Sequence, residues 1–477
     1  MKNRILLRTT VAGWVFAACQ AWAAPNDEAI STASDQHSVA VTIYNDNLAL
    51  VKDARQVSLA RGANQLAWRE VSAQMRPETA QLRNRSSTAG FRLLEQNFDF
   101  DELTPQKLLE KHVGREVSVI RSHPTTGVDT RETATVLSTQ NGVVLKFADR
   151  IETGVPGRLA FLGVPDNLRD KPTLVISLIN PKEGLQNLEL SYLTGGLSWR
   201  ADYVAELNGT DDRLDLNGWV TLTNQSGAAY PNARLQLVAG DLNRVRDAQS
   251  VPRSMMAKVA DAAEMQQESL FEYHLYTLQR PTTLKENQTK QVALMSATRV
   301  PVKKEYLLAG ADYYYSGQHG DLGQKMKVGV FVEFSNKGEG LGIPLPKGVI
   351  RMYKQDSQGN AQFVGEDRID HTPKNETVRL KLGDAFDVTA DKKQTDFQKL
   401  AGTGRYNYVF ESAYEIVLKN AKPEAVTVTV REPMPGDWTM VSESQAHTKA
   451  ASGIAEWQVK VPAEGKATLT YRARVRY

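Results

Sequence analysis

Apolar and polar residues alternate with a period of two along most of this chain, and Gly, Asn, Asp and Pro break the alternation at short intervals. A period of two sends successive side chains to opposite faces of an extended backbone, so the chain is built for sheets rather than for helices. Residues 38–44 and 48–53 read as strands joined by an Asn45-Asp46-Asn47 turn, and 91–100 reads as extended. Further strands are expected at 174–179, 188–193, 199–207, 219–223 and 235–239. The pattern resumes with 272–278, 290–297, 302–307, 325–334, 349–354 and 377–382, and continues with 407–419, 426–431, 455–461 and 467–475. This predicts a mainly β protein of several antiparallel β-domains with a β-sandwich core. One short helix is signalled in the N-terminal half. Thr104 is a good N-cap, Pro105 suits the first helical position, Leu108, Leu109 and Val113 fall on one side, and Gly114 is placed to end it.

The organisation expected from these signals has five parts. Residues 1–23 form a signal peptide, 24–37 a mobile leader, and 38–101 a small β-domain. Residues 102–170 hold the helix and a small barrel-like module, in which Asn141-Gly142 marks a hairpin turn. Residues 171–477 form the sandwich region, interrupted near 246–269 by a Met- and Ala-rich insertion without β alternation. Met255, Met256 and Met265 lack the dense repeat and neighbouring His or Cys that a Cu(I) site calls for.

The N-terminus explains the charge. Lys2, Arg4 and Arg8 precede a short apolar stretch, and Ala21-Trp22-Ala23 is a cleavage signal, so export is expected with a cut before Ala24. The apolar run is too short to span a bilayer, and no transmembrane helix is expected in the mature chain. The competing reading uses Phe16-Ala17-Ala18-Cys19, which resembles a lipobox; Cys19 would then be lipidated and anchor the chain. The chain has 58 basic and 55 acidic residues, and removing Lys2, Arg4 and Arg8 leaves 55 of each. A chain with no formal net charge and no basic block is poorly suited to nucleic acid, where phosphate neutralisation dominates affinity. Cys19 is the sole cysteine, so no disulfide can form within the chain.

A search for chemistry returns little. The seven histidines form no H-x-H or H-E-x-x-H pattern. There is no G-x-S-x-G elbow and no Walker A motif, and nothing implies a cofactor. Asp384, Asp387 and Asp391 lack the spacing of a calcium loop. The densest polar cluster is Glu366, Asp367, Arg368, Asp370 and His371. Its candidate ligand-binding residues are Glu366, Asp367, Asp370 and His371. Two carboxylates there could also divide acid and base roles in a hydrolase, or the cluster could be a solvated strand edge with local ion pairs. The last strand alternates Leu469, Tyr471, Ala473, Val475 and Tyr477 with polar residues. That pattern resembles the closing strand of an outer-membrane barrel, but it also closes a soluble sandwich, which is the expectation here because the other strands lack a consistent lipid-facing band.

Several motifs occur in a fixed order. Leu197-Ser198-Trp199-Arg200-Ala201-Asp202-Tyr203 is followed by Leu345-Pro346-Lys347-Gly348-Val349-Ile350-Arg351-Met352-Tyr353. Phe363-Val364-Gly365-Glu366-Asp367, Ile369-Asp370-His371-Thr372-Pro373 and Leu382-Gly383-Asp384-Ala385-Phe386-Asp387-Val388 come next. This series resembles the DUF4139 family of exported bacterial proteins, related to the mucoidy inhibitor A proteins, from about residue 188 to the C-terminus. The resemblance implies a β-sandwich and a place in the Gram-negative envelope, periplasmic or outer-membrane associated, and it assigns no reaction to any residue. The expectation is therefore an envelope interaction or scaffold protein with a protein or polysaccharide partner. The alternatives are a carboxylate-dependent hydrolase of envelope polysaccharide and a lipid-anchored assembly factor.

Overall fold

The computed structural model describes residues 28–45, 47–86, 90–99, 104–155, 157–163, 169–240, 265–270, 273–402 and 404–477. Cys19, the signal segment and most of the Met-rich insertion lie outside them. The chain divides into two compact units, residues 1–38 with 53–192 and residues 39–52 with 193–477. The expected class is found: strands dominate, and Pro105–Glu110 is the α-helix among the described residues. The Thr104 hydroxyl accepts from the Lys107 amide at 3.1 Å, as an N-cap should. The helix is shorter than its sequence signal. Val113 lies beyond it, 46% exposed, and bridges Val136.

In the first unit, a four-stranded sheet runs in the order Ala29–Ser31, Gly62–Arg69, Thr173–Asn180, Arg92–Asp99. Thr173–Asn180 thus hydrogen-bonds to strands far earlier in the chain. The expected mobile leader is corrected from Glu28 onward. Ala29–Ser31 pairs in parallel with Leu66–Trp68, Thr32 and Asp35 close a capping box around a 3-10 turn, and Arg169 binds the Glu28 carboxylate at 2.8 Å. Beneath this sheet Arg55 is fully buried. Its Nε and Nη2 donate to Asp53 Oδ2 at 3.0 and 2.7 Å, and its other bonds go to the carbonyls of Ser31 and Arg69. Trp68 Nε1 and Gln36 Nε2 complete the Asp53 shell. The barrel-like expectation is also corrected. Ile151–Thr153, Val144–Lys146, Asp129–Ser138, Glu116–Ser122 and Arg158–Ala160 form an open five-stranded sheet whose end strands do not pair. Leu109 of the helix packs there against Val117, Val119, Val136 and Leu145.

In the second unit, Val39 to Tyr44 lies in a strand that pairs in parallel with Tyr230–Ala239. Met265–Leu270 and Tyr273–Leu278 extend the ladder, so the insertion ends in a strand where the sequence suggested none. A second sheet has five strands in the order Gln288–Pro301, Arg213–Asn224, Leu197–Leu207, Gly348–Gln355, Ala361–Ile369. A nine-stranded sheet holds the C-terminal half, from Asp437–Glu443 at one end of its order to Thr448–Ala451 at the other. Trp457 and Tyr471 sit on strands far apart in that order yet stack at 4.8 Å. The sheet therefore folds back on itself, and its two halves enclose one core with Tyr414, Ile416, Leu418, Val428 and Leu469. In the last strand Leu469, Tyr471, Ala473 and Val475 all face this core, at 2% exposure or less.

Candidate functional site

The five-stranded sheet carries the expected site and most of the sequence motifs. Its inner face is dry: Trp199, Ala201, Tyr203, Ala205 and Leu207 alternate into the core with Leu214, Leu216, Val220 and Leu222 beside them. Tyr203 donates its hydroxyl to the Pro346 carbonyl at 2.8 Å, tying two of the motifs together. Gly348 lies against Ala201 so closely that a Cβ there would stand 2.3 Å from the Ala201 oxygen.

The outer face carries a polar row with at least one residue from every strand. Gln291 Nε2 donates to Thr221 Oγ1 at 3.2 Å, and Thr221 donates to Asp202 Oδ2 at 2.7 Å. Arg200 Nε reaches the same oxygen at 3.0 Å, and Arg351 Nη1 reaches Asp202 Oδ1 at 3.0 Å. Arg351 Nε then faces Glu366 Oε2 at 3.3 Å. Asp202 is the hub and is buried. Burial works to raise its pKa, but the hydrogen bonds from Thr221 and Arg351 and the Arg200 charge outweigh it, so the carboxyl sits below its ordinary value. Around the row Val204, Trp219 and Phe363 remain open to solvent, Phe363 at 55%, and Phe363 meets Tyr353 edge to face at 5.7 Å.

The four residues singled out from sequence do not converge. Glu366 lies on the outer face, half exposed, with Arg351. Asp367, one residue on, points to the other face as strand geometry requires. There its Oδ2 accepts from the Lys381 amide at 2.7 Å and its Oδ1 from the Arg368 amide at 2.8 Å. Asp370 is exposed past the strand end, and its backbone carbonyl accepts from the Thr372 hydroxyl. His371 Nδ1 accepts from the Lys347 amide at 3.2 Å. A carboxylate-dependent hydrolase needs its two carboxyl groups to flank one scissile bond across a shared cleft; these two point away from each other on opposite faces of one strand. Asp384 and Asp391 are likewise engaged, with Lys327 and Lys381 and with Lys419 respectively. Among the described residues no group of three or more His, Cys, Asp or Glu is arranged to hold a metal ion, and no helix is long and apolar enough to cross a membrane.

Sequence reasoning missed Asp202 as the hub. Arg200-Ala201-Asp202 did carry a signal, since residues two apart share a face of a strand. Its partner Arg351 is 149 residues away, and no local pattern names it.

The fold and this sheet define a mixed-sheet β protein in which the motifs at 197–203, 345–353 and 363–367 fall on adjacent strands. The chain belongs to the DUF4139 family, a domain of unknown function, whose pattern matches residues 188–477. No curated protein matches the chain.

Proposed function

We propose that this chain is an exported, non-catalytic interaction protein of the bacterial cell envelope that engages a protein or glycan partner. The observation that carries the reading is the disposition of Glu366 and Asp367. One neutralises an arginine on the outer face, and the other holds a neighbouring strand by its amide. Neither is placed to serve the other as acid or base. Export rests on the charged and apolar pattern of residues 1–23, and an envelope setting on the resemblance to the mucoidy inhibitor A proteins. The surface offered to a partner is the outer face of the five-stranded sheet, where Trp219, Val204 and Phe363 surround a fixed row of charges. Ring faces flanked by oriented hydrogen-bonding groups are a common composition for recognition surfaces.

The test is a photo-crosslinking residue placed at Trp219 or at Val204 in cells, with one at Leu162, exposed in the other unit, as control. The reading expects a defined adduct from positions 219 and 204 and none from 162. Absence of adducts, together with depolymerisation of envelope polysaccharide by the purified chain, would favour the hydrolase instead. The lipid-anchored alternative is read separately: Cys19→Ala releases an anchored protein from the membrane fraction and leaves a soluble exported one where it was.

A further inference from the structure

The most unusual pair of side chains lies in the core of the nine-stranded sheet, away from the polar row. Lys392 is 1% exposed, Glu432 is fully buried, and Lys392 Nζ stands 2.6 Å from Glu432 Oε1. Tyr314 and Tyr414 cover the ammonium, with ring centres 4.2 and 5.1 Å away. Tyr315 donates to Glu432 Oε2 at 3.1 Å and shares a 2.9 Å hydroxyl contact with Tyr471. Gly310 makes room for the carboxylate: a Cβ there would lie 2.1 Å from Oε2. Lys392 belongs to Thr377–Leu400 and Glu432 to Val426–Pro433, which two intervening strands separate in the sheet order.

We propose that Lys392 and Glu432 condense to an intramolecular isopeptide bond that staples these two strands. An amine and a carboxyl held in contact without water have the proximity that makes such a step effectively unimolecular. Burial lowers the Lys392 pKa, opposed by Glu432, which makes the neutral amine, the nucleophile, easier to reach once a proton passes to the oxygen in contact with it. The Nζ lone pair then attacks Cδ, the C–N bond forms, and the C–Oε1 bond breaks. The departing Oε1, in contact with Nζ, leaves as water carrying two protons of the original ammonium. Tyr315, which donates to Oε2, is placed to stabilise the charge that develops on that oxygen, and Oε2 stays as the amide carbonyl. Ammonium and carboxylate become a secondary amide and water, with no oxidant or other reactant. In a chain whose sole cysteine permits no internal disulfide, this would be its covalent cross-link.

The test is the intact mass of the full, folded and then denatured chain, followed by tryptic mapping. The bond predicts a mass about 18 Da below the sequence value, one water lost. It also predicts a branched peptide joining residues 382–393 to 432–449. Lys392→Arg keeps the positive charge and restores the full mass. An undiminished mass in the unaltered chain overturns the proposal. So does a loss of one water without the branched peptide, or one that persists in Lys392→Arg.

Discussion

Arg55→Met tests how the first unit is held together. Arg55 is 1% exposed and satisfies three partners: the Asp53 carboxylate and the carbonyls of Ser31 and Arg69. Methionine fills much of its volume but donates nothing. Asp53 then stays buried as an anion with only Trp68 and Gln36 as donors. Breaking a buried pair from one side costs about 3–5 kcal/mol. With a urea m-value of about 2 kcal/mol/M, the midpoint falls by roughly 1.5–2.5 M. Tryptophan fluorescence reports it, since Trp68 is buried against the Arg55 guanidinium at 4.7 Å. The leader strand also loses the bond at Ser31, so proteolysis near residues 28–36 should accelerate. Pairing Arg55→Met with Asp53→Leu removes the orphaned charge and should recover most of the loss. A shift worth less than about 1 kcal/mol, the scale of an exposed ion pair, would refute the reasoning.

Other outcomes follow from the same geometry. Gly348→Ala drives a Cβ to 2.3 Å from the Ala201 oxygen; hydrogen exchange should show protection lost in both 197–207 and 348–355. Thr104→Ala removes the helix cap and should cost about 1 kcal/mol in thermal or urea unfolding. The depressed Asp202 pKa fixes the sign of a pH effect. Its contribution is complete above the unfolded carboxyl value of about 3.9 and is lost as pH falls through the lower folded value. Unfolding midpoints of the unaltered chain and Asp202→Asn should therefore differ most near neutrality and converge in acid.

Much of this architecture was legible because period-two alternation is a local signal. It located the strands at 38–44, 199–207 and 467–475. Trp199 and Tyr203 stand four residues apart in the strand expected at 199–207, a spacing that puts both on one face, and both are buried. Strand direction was not legible, because alternation is the same in parallel and antiparallel pairs. The parallel pairing of Leu197–Leu207 with Gly348–Gln355, on which the polar row depends, is visible only in the fold. The Glu366–Asp367 cluster looked dense because its residues adjoin in sequence, yet adjacency on a strand sends side chains apart. No local pattern singles out Lys392 or Glu432, and only the folding-over of the nine-stranded sheet buries them together.

The central claim, that the carboxylates at 366 and 367 serve structure and not hydrolysis, is tested most directly by reducing-end release. Purified unaltered chain and Glu366→Gln/Asp367→Asn would be incubated with isolated envelope polysaccharide. The account predicts no release above the buffer blank for either protein. Release by the unaltered chain that the double variant abolishes, while its circular dichroism and unfolding midpoint stay the same, would contradict it.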